Sequence, residues 1–154
     1  MLRNHTQSQN HKVKQTLSTR LKEKQEKIVR ILTELSEESA RGTPIVVEGK
    51  KDVEALRGLG VSGPVLTVKT GGKSFTQALH EIEQTEALEV ILLLDFDRRG
   101  REGTAHLKEN LERAKIKPNL TFWRGLSALL GREIQCIESL TSYTKKLQQK
   151  TINL

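Results

Sequence analysis

Cysteine, aromatic residues and long apolar runs are all scarce in this 154-residue chain. A single cysteine, Cys136, excludes an intramolecular disulfide and fits a reducing compartment. Aromatics make up 3 % of the residues, so the core is expected to rest on Leu, Ile and Val. No apolar run approaches the roughly 18 residues that a membrane-spanning helix needs. The opening "MLRNHTQSQNHKVKQ" lacks the apolar centre of a secretory signal. A cytoplasmic protein with no membrane partner is expected. His5, His11, His80 and His106 show no metal-ligand spacing, and no Cys/His cluster is present for zinc. Nothing marks a Ser-His-Asp triad, and no internal repeat is found.

What the chain has is positive charge, unevenly spread. The net charge is +7. Residues 1–30 hold eight Lys/Arg against two Glu, whereas the remaining 124 residues hold 18 basic and 17 acidic groups. The body is thus nearly neutral and the basicity belongs to the N-terminal extension. Such an arm suits a polyanion, usually nucleic acid. The plainer reading is a solvated tail.

The pattern along the chain predicts a basic disordered arm over 1–17 and an amphipathic helix over 18–41, with Leu21, Ile28, Leu32 and Leu35 at helical spacing. The helix packs on the body or on a partner. A domain over 42–125 then alternates strands ("PIVVEG", "GPVLTVK", "LEVILLL", "NLTFW") with helices, and residues 126–154 read as C-terminal helices packing on it. Near-continuous Val/Ile/Leu strands between helices indicate an α/β fold with a parallel sheet of about four strands, helices on both faces. Ser74 and Gln77 stand as a capping box.

Two strands run into acid. Glu48 ends "IVVEG", and Asp95 and Asp97 end "ILLLDFD". In parallel α/β folds, sites form at the carboxyl ends of strands. If the extended conformation persists, Asp95 and Asp97 project to the same side. Two carboxylates forced together are relieved by a shared proton or a cation, and Mg²⁺ held by one or two carboxylates with retained waters suits that geometry. The structural alternatives are that Asp97 caps the next helix, that Asp95 closes an Asx-turn, and that Lys50 or Lys51 neutralises Glu48.

"IVVEGKKDVEAL", followed about 45 residues later by "VILLLDFDRRGRE", resembles the Toprim domain of topoisomerases, bacterial-type primases, certain nucleases and the maturase of 5S ribosomal RNA. The resemblance covers residues 44 to about 125 and is nearest to small stand-alone archaeal Toprim proteins. It implies a Toprim-like, Rossmann-like fold in which Asp95 and Asp97 hold Mg²⁺ and Glu48 is the catalytic general acid or base. It implies that Gly49 and Gly100 let the backbone pass close to a phosphate. One position departs from the topoisomerase pattern: Arg99 stands where a third aspartate is expected, with Glu102 nearby.

Among the remaining features, Lys50, Lys51, Arg98, Arg99 and Arg101 flank the acids and are candidates for gripping a nucleic-acid backbone. "TGGKS" (70–74) is not a Walker A loop, because Thr67 stands where its first glycine belongs, but a glycine turn opening a helix presents N–H groups and Lys73 to a phosphate. Its alternative is an ordinary connection. Phe122 and Trp123 read as core, and Tyr143 with Leu147 as helix packing.

Two functions follow as expectations. The first is a Mg²⁺-dependent nuclease for structured RNA, ribosomal RNA precursors included, with RNA favoured over DNA. The second is a non-catalytic Toprim module binding RNA or a ribonucleoprotein such as the ribosome through its basic arm. Topoisomerase and primase activities are disfavoured, since the chain has no room for their additional domains.

Overall fold

A computed structural model describes the backbone of residues 2–153 and the side chains of residues 16, 19–69 and 71–146. The elements are α1 (Leu2–Ala40), β1 (Ile45–Val47), α2 (Lys50–Gly58), β2 (Val65–Thr67), α3 (Phe75–Gln84), β3 (Glu89–Leu92), α4 (Arg98–Arg113), β4 (Lys117–Asn119), α5 (Thr121–Leu130) and α6 (Leu140–Asn153). Single 3₁₀ turns lie at Thr70–Gly72 and Ile137–Ser139.

The four strands form one parallel sheet in the order β2-β1-β3-β4. Inner strands β1 and β3 are apolar on both faces, which is why their sequences run without alternation. Odd and even positions nonetheless serve different cores. Ile45, Val47, Ile91 and Leu93 pack against α1, α2 and α5, while Val46, Val90, Leu92 and Leu94 pack against α3 and α4. Pro118 sits in edge strand β4, where a missing N–H is tolerated. The first crossover leads outward from β1 to β2, and the next returns past β1 to β3. The winding therefore reverses between β1 and β3, and that switch point is where such sheets open a crevice.

The expected strand "NLTFW" is corrected. β4 ends at Asn119 and α5 starts at Thr121. Phe122, Leu126 and Leu130 are buried at four-residue spacing, so the helical stripe outweighs the local β preference of the aromatic pair.

The helix expected to start at Ser18 starts at Leu2, since no Gly or Pro interrupts residues 2–40. Most of the arm expected over 1–17 lies outside the residues whose side chains are described. From Leu21 onward α1 docks on the chain's own body. Ile28 and Leu35 are fully buried against α5 and α6, and Lys24 meets Glu133 at 2.6 Å. At its end, Ser39 Oγ accepts from the Gly63 N–H at 2.9 Å, and a Cβ on Gly63 would come within 2.0 Å of the Ser39 carbonyl oxygen. No described helix is long and apolar enough to cross a membrane.

Candidate active site

The acids meet at the switch point. Glu48 follows β1 directly and is 8 % exposed. Its Oε2 lies 2.6 Å from Lys69 Nζ but makes no aligned hydrogen bond. The neutralising cation is therefore Lys69 from the end of neighbouring strand β2, not Lys50 or Lys51, both of which are exposed. Gly49 is extended (φ −153°, ψ −174°), and a Cβ there would meet nothing within 4 Å. The fold itself does not require glycine at 49, and the position opens space beside Glu48.

Asp52 is a site residue that the sequence reading missed. It is 5 % exposed. Its Oδ2 accepts from the Gly49 N–H at 3.0 Å, and its Oδ1 accepts from the Glu138 N–H at 3.1 Å, across 86 residues of chain. Burial raises its pKa, the two N–H groups oppose that, and the Glu138 and Glu48 charges add to it. The signal was present: Asp52 lies four residues before buried Leu56 on the inward face of α2, an odd place for an acid with no task.

Asp95 lies beyond the end of β3, in a segment gripped on both sides. Trp123 Nε1 donates to the Leu94 carbonyl at 2.9 Å, and the Phe96 N–H donates to the Gln135 carbonyl at 2.6 Å. Gly100 packs against the main chain of Asp95, so its glycine is required by that contact. Asp95 Oδ1 is buried without a hydrogen-bond partner, so no Asx-turn is closed by it. Its pKa is pushed up to about 7, first by burial and then by the Asp52, Glu48 and Asp97 charges, against one N–H from Ile137. The same turn at 137–139 donates the Glu138 N–H to Asp52 at 3.1 Å.

Asp97 is the N-cap of α4, its Oδ1 accepting from the Gly100 N–H at 2.8 Å. Of the remaining candidates, Arg98 reaches Glu102 one turn along α4 (3.0 Å), and Arg101 is exposed. Arg99 lines a cleft of about 270 Å³ next to Glu48. Lys73 is not brought to the acids. It is held by Glu81 (2.6 Å) and the Thr67 carbonyl (3.0 Å), and Gly71 and Gly72 serve a tight turn at positive φ. The Ser74–Gln77 capping box forms in both directions.

Four carboxylates thus gather where no compensating salt bridge reaches Asp95. All donors are oxygens, and the buried Asp95 Oδ1 has neither a hydrogen bond nor an ion-pair partner among the described residues, whereas Glu48 Oε2 has Lys69 beside it. This donor chemistry fits a hard divalent cation. Among the described residues, no three acidic, His or Cys side chains stand as a ready ligand cage. An ion such as Mg²⁺, which keeps several of its waters, needs only one or two carboxylates from the protein.

A doubly wound parallel sheet with acids at its switch point defines an α/β domain with a candidate site at the carboxyl ends of its inner strands. The chain belongs to the Toprim domain family, whose model matches residues 43–122. It is 36% identical over 127 residues to a UPF0292 protein of Methanosarcina acetivorans, covering 82% of this chain and 85% of that one. A UPF0292 protein of Methanocaldococcus jannaschii is 38% identical over 122 residues, covering 79% and 92%. A protein of known structure from Aquifex aeolicus superposes with a TM-score of 0.60 at 27% identity, over 71% of this chain and 94% of that one. Family membership suggests metal-dependent activity on nucleic acid, with Mg²⁺ held by acidic residues.

Proposed function

We propose that this protein is a Mg²⁺-dependent nuclease acting on structured RNA, ribosomal RNA precursors included. The observation that carries the reading is Asp95: a carboxylate with a buried, unpartnered oxygen, set among three further acids. Holding it there without a cation is costly, and a divalent ion relieves that cost. When bound, Mg²⁺ would stabilise charge building on a phosphate under transfer. Asp95 and Asp97 would hold the ion. Asp52, with both oxygens engaged by main-chain N–H groups, deepens the negative potential beside them. Glu48 would move a proton at the attacking or leaving oxygen. Arg99, Arg98 and Arg101 at the start of α4 and Lys50 and Lys51 at the start of α2 would hold the flanking backbone, while Lys73 keeps to its local ion pair. Gly49 leaves the room for a phosphate to approach.

The test is cleavage of end-labelled structured RNA, a 5S ribosomal RNA precursor among the substrates, with Mg²⁺ or with EDTA. Cuts at defined positions that disappear in EDTA, in Asp95→Asn and in Glu48→Gln are expected.

A second reading draws on two observations. Glu48 has a cation beside it and Asp97 has a capping role, so both acids have structural employment. In that reading the domain is a non-catalytic binder of RNA or a ribonucleoprotein such as the ribosome, anchored by the basic arm at 1–17. Intact RNA in every lane, with a salt-sensitive gel shift that survives both substitutions, would decide for it.

A further inference from the structure

The cleft beside Glu48 has a composition that phosphate chemistry alone does not need. On the α4 side the cleft is lined by Arg99, Gly103 and His106, at four and three residues' spacing, and by Glu102, whose carboxylate is paired with Arg98 at 3.0 Å. Lys69 from the connection after β2, Phe75 at the start of α3, and Glu48 complete the lining. The cleft measures about 270 Å³. Its chemistry is divided. Lys69 and Arg99 are its cations. Lys69 is paired with Glu48 at 2.6 Å, whereas Arg99 has no ion-pair or hydrogen-bond partner among the described residues. Phe75 and His106 supply rings in edge-to-face contact, centroids 5.2 Å apart and planes at 85°. His106 is exposed, with Nε2 3.4 Å from Asn110 Nδ2. Gly103 is what lets the rings close in: a Cβ there would stand 3.3 Å from Phe75 Cζ and 3.1 Å from Leu94 Cδ2.

Cations beside a ring pair, within one small cleft that opens on a candidate general acid or base, match the two halves of a nucleotide. We infer that this cleft is a subsite for one unpaired nucleotide adjoining the phosphate at the acidic site, its own phosphate on Arg99 and its base against His106 and Phe75. The inference rests on the nuclease reading for its placement and deepens it by naming a substrate class. A base inside a duplex is already stacked and cannot enter, so the substrate presents a single-stranded flank, a loop or a bulge at this point. Base–ring stacking tolerates any base, so the subsite selects unpaired character rather than a particular letter.

The experiment measures equilibrium binding of a fluorescent mixed-sequence RNA tetranucleotide to the full chain in EDTA, where no turnover is needed. Four versions each lack one base, and the perfectly paired duplex serves as competitor. For the wild type, removing one particular base weakens binding roughly fivefold or more. In His106→Ala that same removal has little further effect, because the base and the ring lose one shared contact. Arg99→Ala weakens all four versions about equally and lowers the salt slope by about one. Phe75→Leu, which keeps an apolar side chain against α3 and α4, reproduces the His106→Ala pattern. The duplex fails to compete.

The inference is overturned if His106→Ala weakens intact and base-less versions alike, if it changes nothing, or if the duplex competes as well as the single strand. The nuclease reading is judged separately by cleavage. Mg²⁺-dependent cutting without a base-dependent His106 effect rejects the cleft alone. A base-dependent effect without cutting by wild type rejects the nuclease alone.

Discussion

Gly100, in the first turn of α4, lies so close to the main chain of Asp95 that a Cβ would fall 2.0 Å from the Asp95 carbonyl oxygen. The obstacle is backbone, so no rotamer change can relieve it. The same residue donates its N–H to Asp97 Oδ1 at 2.8 Å. One glycine therefore sets the spacing of both acids of "DFDRRG".

Gly100→Ala is expected to displace α4 from the Asp95 segment and to cost roughly 2–4 kcal/mol of stability. Urea unfolding measures the loss. Because the displacement separates Asp95 from Asp97, Mg²⁺-induced stabilisation should fall along with it. A Gly100→Ala protein of unchanged stability would show that the loop yields where its geometry says it cannot.

Asp95 gives the pH dependence its sign. Unfolded chain releases this proton near 3.8, whereas the folded protein holds it to about 7. Protonated Asp95 thus favours the fold fully below the unfolded value, and the contribution is lost as pH rises through about 7. Asp52 is shifted in the same direction. Asp95→Asn keeps the shape without the charge, so without divalent metal it should be more stable than wild type at pH 8. At pH 4 the two should be close. The gap is expected to be about 1 kcal/mol, since solvent screens a carboxylate that is only partly buried. Adding Mg²⁺ at pH 8 should raise the melting temperature of wild type and not that of Asp95→Asn. Equal melting curves across this pH range would remove the electrostatic argument for the site.

The acids were legible in the sequence because a buried apolar strand cannot run into carboxylates without consequence, and Glu48, Asp95 and Asp97 are all found at the β1–β3 switch point. The sheet was legible for a related reason, since strands covered on both faces carry uninterrupted Val, Ile and Leu. What was hidden depends on strand order. Lys69 reaches Glu48 only because β2 lies beside β1, and nothing in the spacing 48 to 69 announces it. Asp52 was not singled out, although its place ahead of Leu56 on the inward face of α2 was visible. Trp123 was read as core at a strand end. Its ring does pack there, but its Nε1 holds the Leu94 carbonyl from a helix, because Phe122 belongs to a four-residue stripe and not to an alternating one.

Asp97 has two roles that its substitutions can separate. Asn is as good an N-cap as Asp, whereas Ala is a poor one. Asp97→Asn should therefore stay within a few tenths of a kcal/mol of wild type, and Asp97→Ala should lose about 1 kcal/mol. If Asp97 also serves the metal, both variants lose Mg²⁺-induced stabilisation to a similar degree. Calorimetric titration of Mg²⁺ into the two proteins reads the second role independently of the first. Full Mg²⁺ affinity in Asp97→Asn would leave Asp97 a helix cap and nothing more.

Lys69 and Glu48 form a pair across neighbouring strands, one partner 8 % exposed as a residue and the other about half exposed as a side chain. Removing only the cation leaves a buried carboxylate without its neighbour, whereas removing both charges leaves no such penalty. Lys69→Met is therefore expected to cost about 1 kcal/mol, the exposure of the ammonium keeping the value at the low end. Adding Glu48→Gln to that protein should restore most of the loss, so that the double variant is more stable than the sum of the singles. Urea midpoints of the four proteins at pH 7 supply the cycle. Strict additivity would mean that the 2.6 Å approach carries no energy, and that Glu48 is as available to a phosphate with Lys69 present as without it.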